Sequence, residues 1–204
     1  MVLPTLKVEK SLWKKGLANV VGIDEVGRGS WAGPLVAAGV ILPKNFIAPK
    51  NFADSKQISL TLRTQFDKFI RQQAKCVAVA EISHTTINKI GVGIANQMAF
   101  RKVLKLLAIP ADFVLVDAFH IKYLAKSAQN PIKHGDQLVT SIAAASIVAK
   151  VYRDNLMQGL AQSFPKYGFE KHKGYGTKIH QEAIQKYGFC RIHRVNYNLN
   201  FLFT

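Results

Sequence analysis

Acidic residues are scarce in this 204-residue chain. Twelve Asp and Glu stand against twenty-eight Lys and Arg, for a net charge of +16. With only two cysteines, Cys76 and Cys190, there is no disulfide framework, and Cys76, which opens the apolar run CVAVAEI, reads as a buried free thiol. CxxC and HExxH spacings are missing, which argues against a zinc site. GxxxxGK[ST] is missing too, which excludes a Walker-type phosphate loop. Apolar residues make up 49% of the chain, enough for a buried core, but no uninterrupted run has the length of a membrane span. The N-terminal MVLPTLKVEKSLWKKG lacks a continuous apolar signal core. A soluble, unexported, cytoplasmic protein with no membrane association is the expectation.

The basic excess favours a polyanionic partner, because neutralising phosphates releases condensed counterions. No long basic amphipathic helix stands out, so nucleic acid is favoured over a membrane surface.

No internal repeat, low-complexity tract or long linker divides the chain. Strands are predicted at NVVGIDE (19–25), PLVAAGVILP (34–43), CVAVAEI (76–82) and FVLVDAF (113–119), the first two pairing across GRGSWAG. Helical spacing marks 59–74, with Ser59 as N-cap, then 88–108 despite Gly91 and Gly93, the alanine-rich 140–163, and 178–188. Residues 120–134 read as irregular and 166–177 as a glycine-rich basic loop. This order predicts an α/β fold with a mixed central β-sheet flanked by helices over 1–163. A small helix-and-loop region, 164–204, would pack on it without forming an independent domain.

Because acids are few, each can be weighed. Glu9, Asp67, Glu170 and Glu182 read as solvated charges, Glu81 and Asp112 as strand-boundary residues, Asp54 as a turn former, and Asp154 as an ion-pair partner of Arg153. Asp24, Glu25, Asp117 and Asp136 differ. The first three end apolar strands, and Asp136 precedes the alanine-rich helix in HGDQLVTS. Carboxylates at strand ends can share the crevice where α/β folds place ligands. They would repel one another there, and a hard divalent cation is the usual compensation. Acids within a basic protein point to metal-assisted attack on phosphodiesters. Gly27 and Gly29 would let backbone approach a ligand closely, with Arg28 donating to phosphate or sugar oxygens; a tight hairpin turn would explain the same residues.

GIDEVGRGSWAGPLVAAGVIL, DSK (54–56), VLVDA (114–118), GDQLVTSIAAASIVAKVYRD (135–154), YGFEKHKGYGT (167–177) and RIHR (191–194) together resemble the ribonuclease HII family, in order and at family-like spacing. The resemblance implies an RNase H-like fold with a helical C-terminal region. It implies hydrolysis of the RNA strand of RNA/DNA hybrids and incision 5′ of single ribonucleotides in duplex DNA, leaving 3′-hydroxyl and 5′-phosphate ends. A carboxylate quartet of Asp24, Glu25, Asp117 and Asp136 would hold Mn2+ or Mg2+ for two-metal catalysis. Gly27, Arg28 and Gly29 would contact the 2′-hydroxyl at the RNA–DNA junction, and Tyr175 would pack on the deoxyribose 3′ of the cut. Ser55, Lys56, Ser141, Ser146 and Lys150 would contact backbone or support the site. Two residues depart from the pattern: His134 stands where lysine is expected, and Ala118 follows Asp117 where glycine is common. The related ribonuclease HIII carries an extra N-terminal domain and lacks the GRG arrangement. A monomer is expected, and the tail NYNLNFLFT (196–204) loosely resembles sliding-clamp-binding tails. A nuclease of this fold acting on DNA junctions, or a hybrid-binding protein that does not cut, are the alternatives. Since Asp24 and Glu25 are adjacent, a bend or bulge after Asp24 is predicted, so that both reach one site.

Overall fold

The computed structural model describes residues 3–53, 55 and 58–202. The β-branched and apolar runs form β1 (Val20–Val26), β2 (Leu35–Ile41) and β3 (Cys76–Ile82), an antiparallel meander. β4 (Phe113–Asp117) lies parallel to β1 on its other side, and β5 (Gln129–Ile132) lies parallel to β4, giving the order β3-β2-β1-β4-β5. The mixed, helix-flanked sheet predicted from the sequence is present.

The helices are α1 (Lys7–Lys14), α2 (Leu60–Gln73), α3 (His84–Leu106), α4 (Gly135–Leu138), α5 (Thr140–Ser163), α6 (Phe169–His172) and α7 (Lys178–Tyr187). α2 is capped by Ser59, whose side chain accepts from Leu62 N–H, as its sequence predicts. α3 starts earlier than predicted, capped by Ser83, and is interrupted at Gly91. α1, α4, α6 and β5 are additions to the predicted set, α6 within 166–177, read as a loop, and β5 within 120–134, read as irregular. β5 has the polar, proline-bearing sequence QNPI and is an edge strand, the position where Pro131 costs no ladder hydrogen bond.

Strand alternation divides the core. Val21, Ile23 and Ala37 meet Ala95, Ala99, Phe100 and Val103 of α3 on one face. Val36, Ala38 and Val40 meet Ala144, Ile147 and Val148 of α5, with Phe66 and Ile70 of α2, on the other. The alanines of α5 allow it to lie very close to the sheet. At Gly22 of β1 a Cβ would stand 2.2 Å from the backbone carbon of Ser141, so only glycine admits the contact. The helix start is secured from the far side. Glu9 of α1 is fully buried and its Oε1 accepts from Ser141 N–H at 2.8 Å, supplying the acceptor that the helix N-cap Val139 lacks. Burial pushes the Glu9 carboxyl above the usual range. Glu9 is therefore a buried capping group, and the expectation of a solvated charge was incorrect.

The C-terminal segments pack as one patch. Tyr167, Phe169, Ala183 and Ile192 enclose Met157 and Ala161 of α5 together with Ala32. Within the patch three histidines stack: ring centroids are 4.5 Å apart for His172 and His180, and the Nε2 atoms of His180 and His193 lie 3.1 Å apart. Burial pushes His180 down to about 3 and His193 down to about 4.

Adding one methyl at Gly22 forces α5 off the sheet. Gly22→Ala is expected to lose about 3 kcal/mol or more of unfolding free energy in urea titrations followed by circular dichroism. The histidines give a pH signature. Folded His180 takes up a proton only near pH 3, whereas an unfolded histidine does so near 6.5, so unfolding takes up a proton between those values and stability falls as pH drops. From pH 7 to pH 5 this group alone removes about 2 kcal/mol. His180→Gln should flatten the stability–pH curve over that interval by this amount.

Candidate active site

The two central parallel strands bring the first acids together. Gly22 pairs with Leu115 and Ile23 with Val116, so the next step places Asp24 beside Asp117, the last residue of β4. Neighbouring strands are about 4.8 Å apart. β1 continues past this point in unbroken register with β2, Glu25 opposite Ala37 and Val26 opposite Val36. The predicted bend or bulge is therefore absent. Glu25 follows on the regular strand, and its backbone N–H donates to Asp24 Oδ1 at 2.7 Å.

Asp136 comes from α4, the short turn of helix that leads into α5, and is 5% exposed. Its neighbour Gly135 donates its N–H to Asp117 Oδ1 at 2.7 Å, tying α4 to the end of β4. The electrostatics place the four acids at one locus. Asp24 is buried, and its carboxyl is raised well above the usual range, first by desolvation, then by the charges of Glu25, Asp117 and Asp136. A hydrogen bond from Ser146 opposes the shift. Among the described residues, no three His, Cys, Asp or Glu side chains are grouped so as to hold a metal ion. This all-oxygen donor set, with each charge disfavouring the next, fits a hard divalent cation as the group that would offset the repulsion.

The chain beyond Asp117 is strained. Ala118 has φ +59°, and Phe119 N–H donates to Asp117 carbonyl at 2.7 Å, closing a tight three-residue turn. Glycine would relax this position. His134 also has positive φ, 57°, and is exposed as it leads into α4.

The GRG segment follows β1 directly and is fixed from beneath. Gly27 has φ +85°, and a Cβ there would lie 2.2 Å from Arg153 Nε. Arg153 is fully buried and donates to the carbonyls of Pro34 (2.9 Å), Lys173 (2.9 Å) and Ala32 (3.2 Å). Arg194, also fully buried, donates to the carbonyls of Gly33 (3.0 Å) and Arg28 (3.1 Å), and Tyr197 OH donates to Arg28 carbonyl at 2.6 Å. Arg28 itself is exposed, its guanidinium 4.7 Å from the Phe119 ring, and nothing approaches a Cβ at Gly29. The loop is thus open above and rigid below. Arg153 and Arg194 are functional supports that sequence reading missed. Asp154 instead pairs with Lys150 at 2.7 Å and Arg63 at 3.4 Å, because adjacent helical residues point in different directions.

A cavity of about 300 Å3 adjoins the acids, lined by Glu25, Val26, Ser55, Ser146, Lys150 and Tyr175. Ser55 and Ser146 share a hydrogen bond of 2.9 Å. Lys150 Nζ and the Arg153 guanidinium lie 5.8 and 5.5 Å from the Tyr175 ring. Five predicted site residues thus meet here. Ser141 does not join them: it is fully buried beneath β1, out of reach of a surface ligand. Lys56 lies outside the described residues. A cleft of about 790 Å3 between α1 and the β4–β5 edge contains none of the predicted site residues.

A family profile described as Ribonuclease HII matches residues 21–200. The chain belongs to the ribonuclease HII family. It is accordingly a ribonuclease H, an endonuclease directed at the RNA strand of hybrids. The ribonuclease HII of Acholeplasma laidlawii is 43% identical over 95% of this chain and 94% of its own length. The fold is shared with the ribonuclease H2 of Pyrococcus horikoshii, at a TM-score of 0.72 and 24% identity, over 88% of this chain and 94% of that one. It is shared also with the Archaeoglobus fulgidus ribonuclease HII solved in complex with PCNA, at 0.71 and 21%, over 89% and 96%. In this ribonuclease HII chain, Leu199 and Leu202 of the tail are buried against Ile184, while Phe201 is 57% exposed; Phe203 and Thr204 lie outside the described residues. Among the described residues no helix is long and apolar enough to cross a membrane.

Proposed function

We propose that this enzyme incises duplex DNA 5′ of a single embedded ribonucleotide as well as cutting the RNA strand of hybrids, leaving 3′-hydroxyl and 5′-phosphate ends. The reading is supported by the charges of Glu25, Asp117 and Asp136 acting together on buried Asp24, beside an open, rigidly supported GRG loop. Mg2+ or Mn2+ held as a pair by Asp24, Glu25, Asp117 and Asp136 would supply positive charge to both the attacking and the leaving oxygen.

The remaining work falls to the chain. Buried Asp24, hydrogen-bonded by Ser146 and by Glu25 N–H, keeps a fixed orientation. Gly135 N–H orients Asp117. The GRG backbone, which Arg153, Arg194 and Tyr197 prevent from retreating, meets the ribose 2′-hydroxyl, the group that separates RNA from DNA. Tyr175 stacks on the deoxyribose 3′ of the cut, its ring held near Lys150 and Arg153. Lys150, bridged to Asp154, and the Ser55–Ser146 pair face the backbone in the cavity beside it. A clamp contact through the tail, of the kind named for the Archaeoglobus relative, would engage Phe201, which is 57% exposed while its ring meets Trp31 edge-on.

Asp117→Asn keeps shape and removes charge. On a duplex with one ribonucleotide it is expected to lower kcat by about 10²–10³ or more; near-normal cleavage would refute the assignment. Tyr175→Ala should impair single-ribonucleotide incision more than cutting of long hybrids, measured as the ratio of kcat/KM values. Equal losses would argue against a junction-reading role.

A further inference from the structure

A second cavity, of about 510 Å3, lies on the α3 side of the strand ends. Its lining includes Arg28, Asn96, Arg101, Phe119, Lys122 and Tyr123. Arg28 comes three residues after Glu25 and Phe119 two after Asp117, so both catalytic strands deliver a residue to it. Three of the six are cationic and none is acidic. Asn96 is 3% exposed, yet its Oδ1 has no hydrogen-bond partner, and Arg101 Nη1 is buried without an acceptor. Buried polar groups are rarely left so, and each costs about 1–3 kcal/mol. A ligand offering both acceptor and donor atoms would satisfy the pair.

The walls are preformed. Lys122 N–H donates to Gln97 Oε1 at 2.7 Å, and Gln97 Nε2 donates to His120 carbonyl at 2.9 Å, fastening the loop after β4 to α3. Gln129 holds the same loop from below through Ile121 N–H, 2.7 Å, and Leu124 carbonyl, 2.9 Å. Tyr123 is 94% exposed, with the Arg101 guanidinium 5.4 Å from its ring.

We propose that this cavity is a nucleotide subsite for the bound polynucleotide. Arg101 and Lys122 pair with one backbone phosphate, and Asn96 Oδ1 accepts from a sugar hydroxyl or base amino group of the same nucleotide. Arg28 stands between this subsite and the carboxylates, so one strand runs through both. The inference rests on the nucleic-acid reading above.

The test is binding of a fluorescein-labelled RNA/DNA hybrid in EDTA, read by anisotropy across a salt series. Lys122→Gln and Arg101→Gln should each weaken binding about tenfold and lower the slope of log K against log salt by about 1. Lys105→Gln, the same charge change at an exposed position outside the cavity on α3, controls for net charge and should change neither value comparably. With Mg2+ or Mn2+ present, Lys122→Gln should raise KM and leave kcat intact, which a folding defect would not do. If the wild type binds and cuts while both variants match the Lys105→Gln control in affinity and slope, the subsite is refuted and the catalytic reading stands. If the wild type neither binds the hybrid nor cuts a ribonucleotide-containing duplex, both fall together.

Discussion

Backbone against backbone, the first turn of α5 rests on β1 at Gly22, and the acidic end of the sheet depends on that contact. Side chains elsewhere in the core keep layers well apart; here the missing Cβ lets a helix settle onto a strand. The depth of this seat sets where α4 stands, and α4 carries Asp136 and the Gly135 N–H that orients Asp117. Buried Glu9 closes the arrangement from the outside by holding Ser141 N–H. Three segments distant in sequence, 9, 22 and 141, therefore fix one carboxylate that none of them carries.

Gathering like charges has a cost, visible in the raised Asp24 carboxyl. The fold offsets part of it with a Ser146 hydrogen bond and backbone N–H groups. The positive charges nearby are largely committed elsewhere: Lys150 and Arg63 to Asp154, Arg153 and Arg194 to loop carbonyls.

Much of this was legible in the sequence because strands and helices here follow their periodicities. CVAVAEI and 140–163 became β3 and α5 with those bounds. Asp24 and Asp117 were legible as acids closing apolar strands. How Glu25 joins them was not: β1 runs through Glu25 in regular register where a bend or bulge was expected, and the β1–β4 pairing that sets Asp24 beside Asp117 spans about ninety residues and leaves no local trace. α1 escaped notice because a glutamate, Glu9, is buried on its inner face beside Trp13, and β5 because three of its four residues are polar or proline. Arg153 was read with its neighbour Asp154 when its partners lie twenty and about 120 residues away.

Those long spans have a consequence in time. The GRG loop is made early in synthesis, and its carbonyl at Arg28 waits for Arg194 and Tyr197, residues added near the end. A nascent chain of 160 residues already contains every described strand, the four carboxylates and Arg153, but the Arg28 carbonyl still lacks its donors Arg194 and Tyr197. Sheet and acids are encoded early, part of the support of the GRG loop late. The GRG loop therefore gains these two donors only once Arg194 and Tyr197 have been made, and a cut upstream of them would remove both.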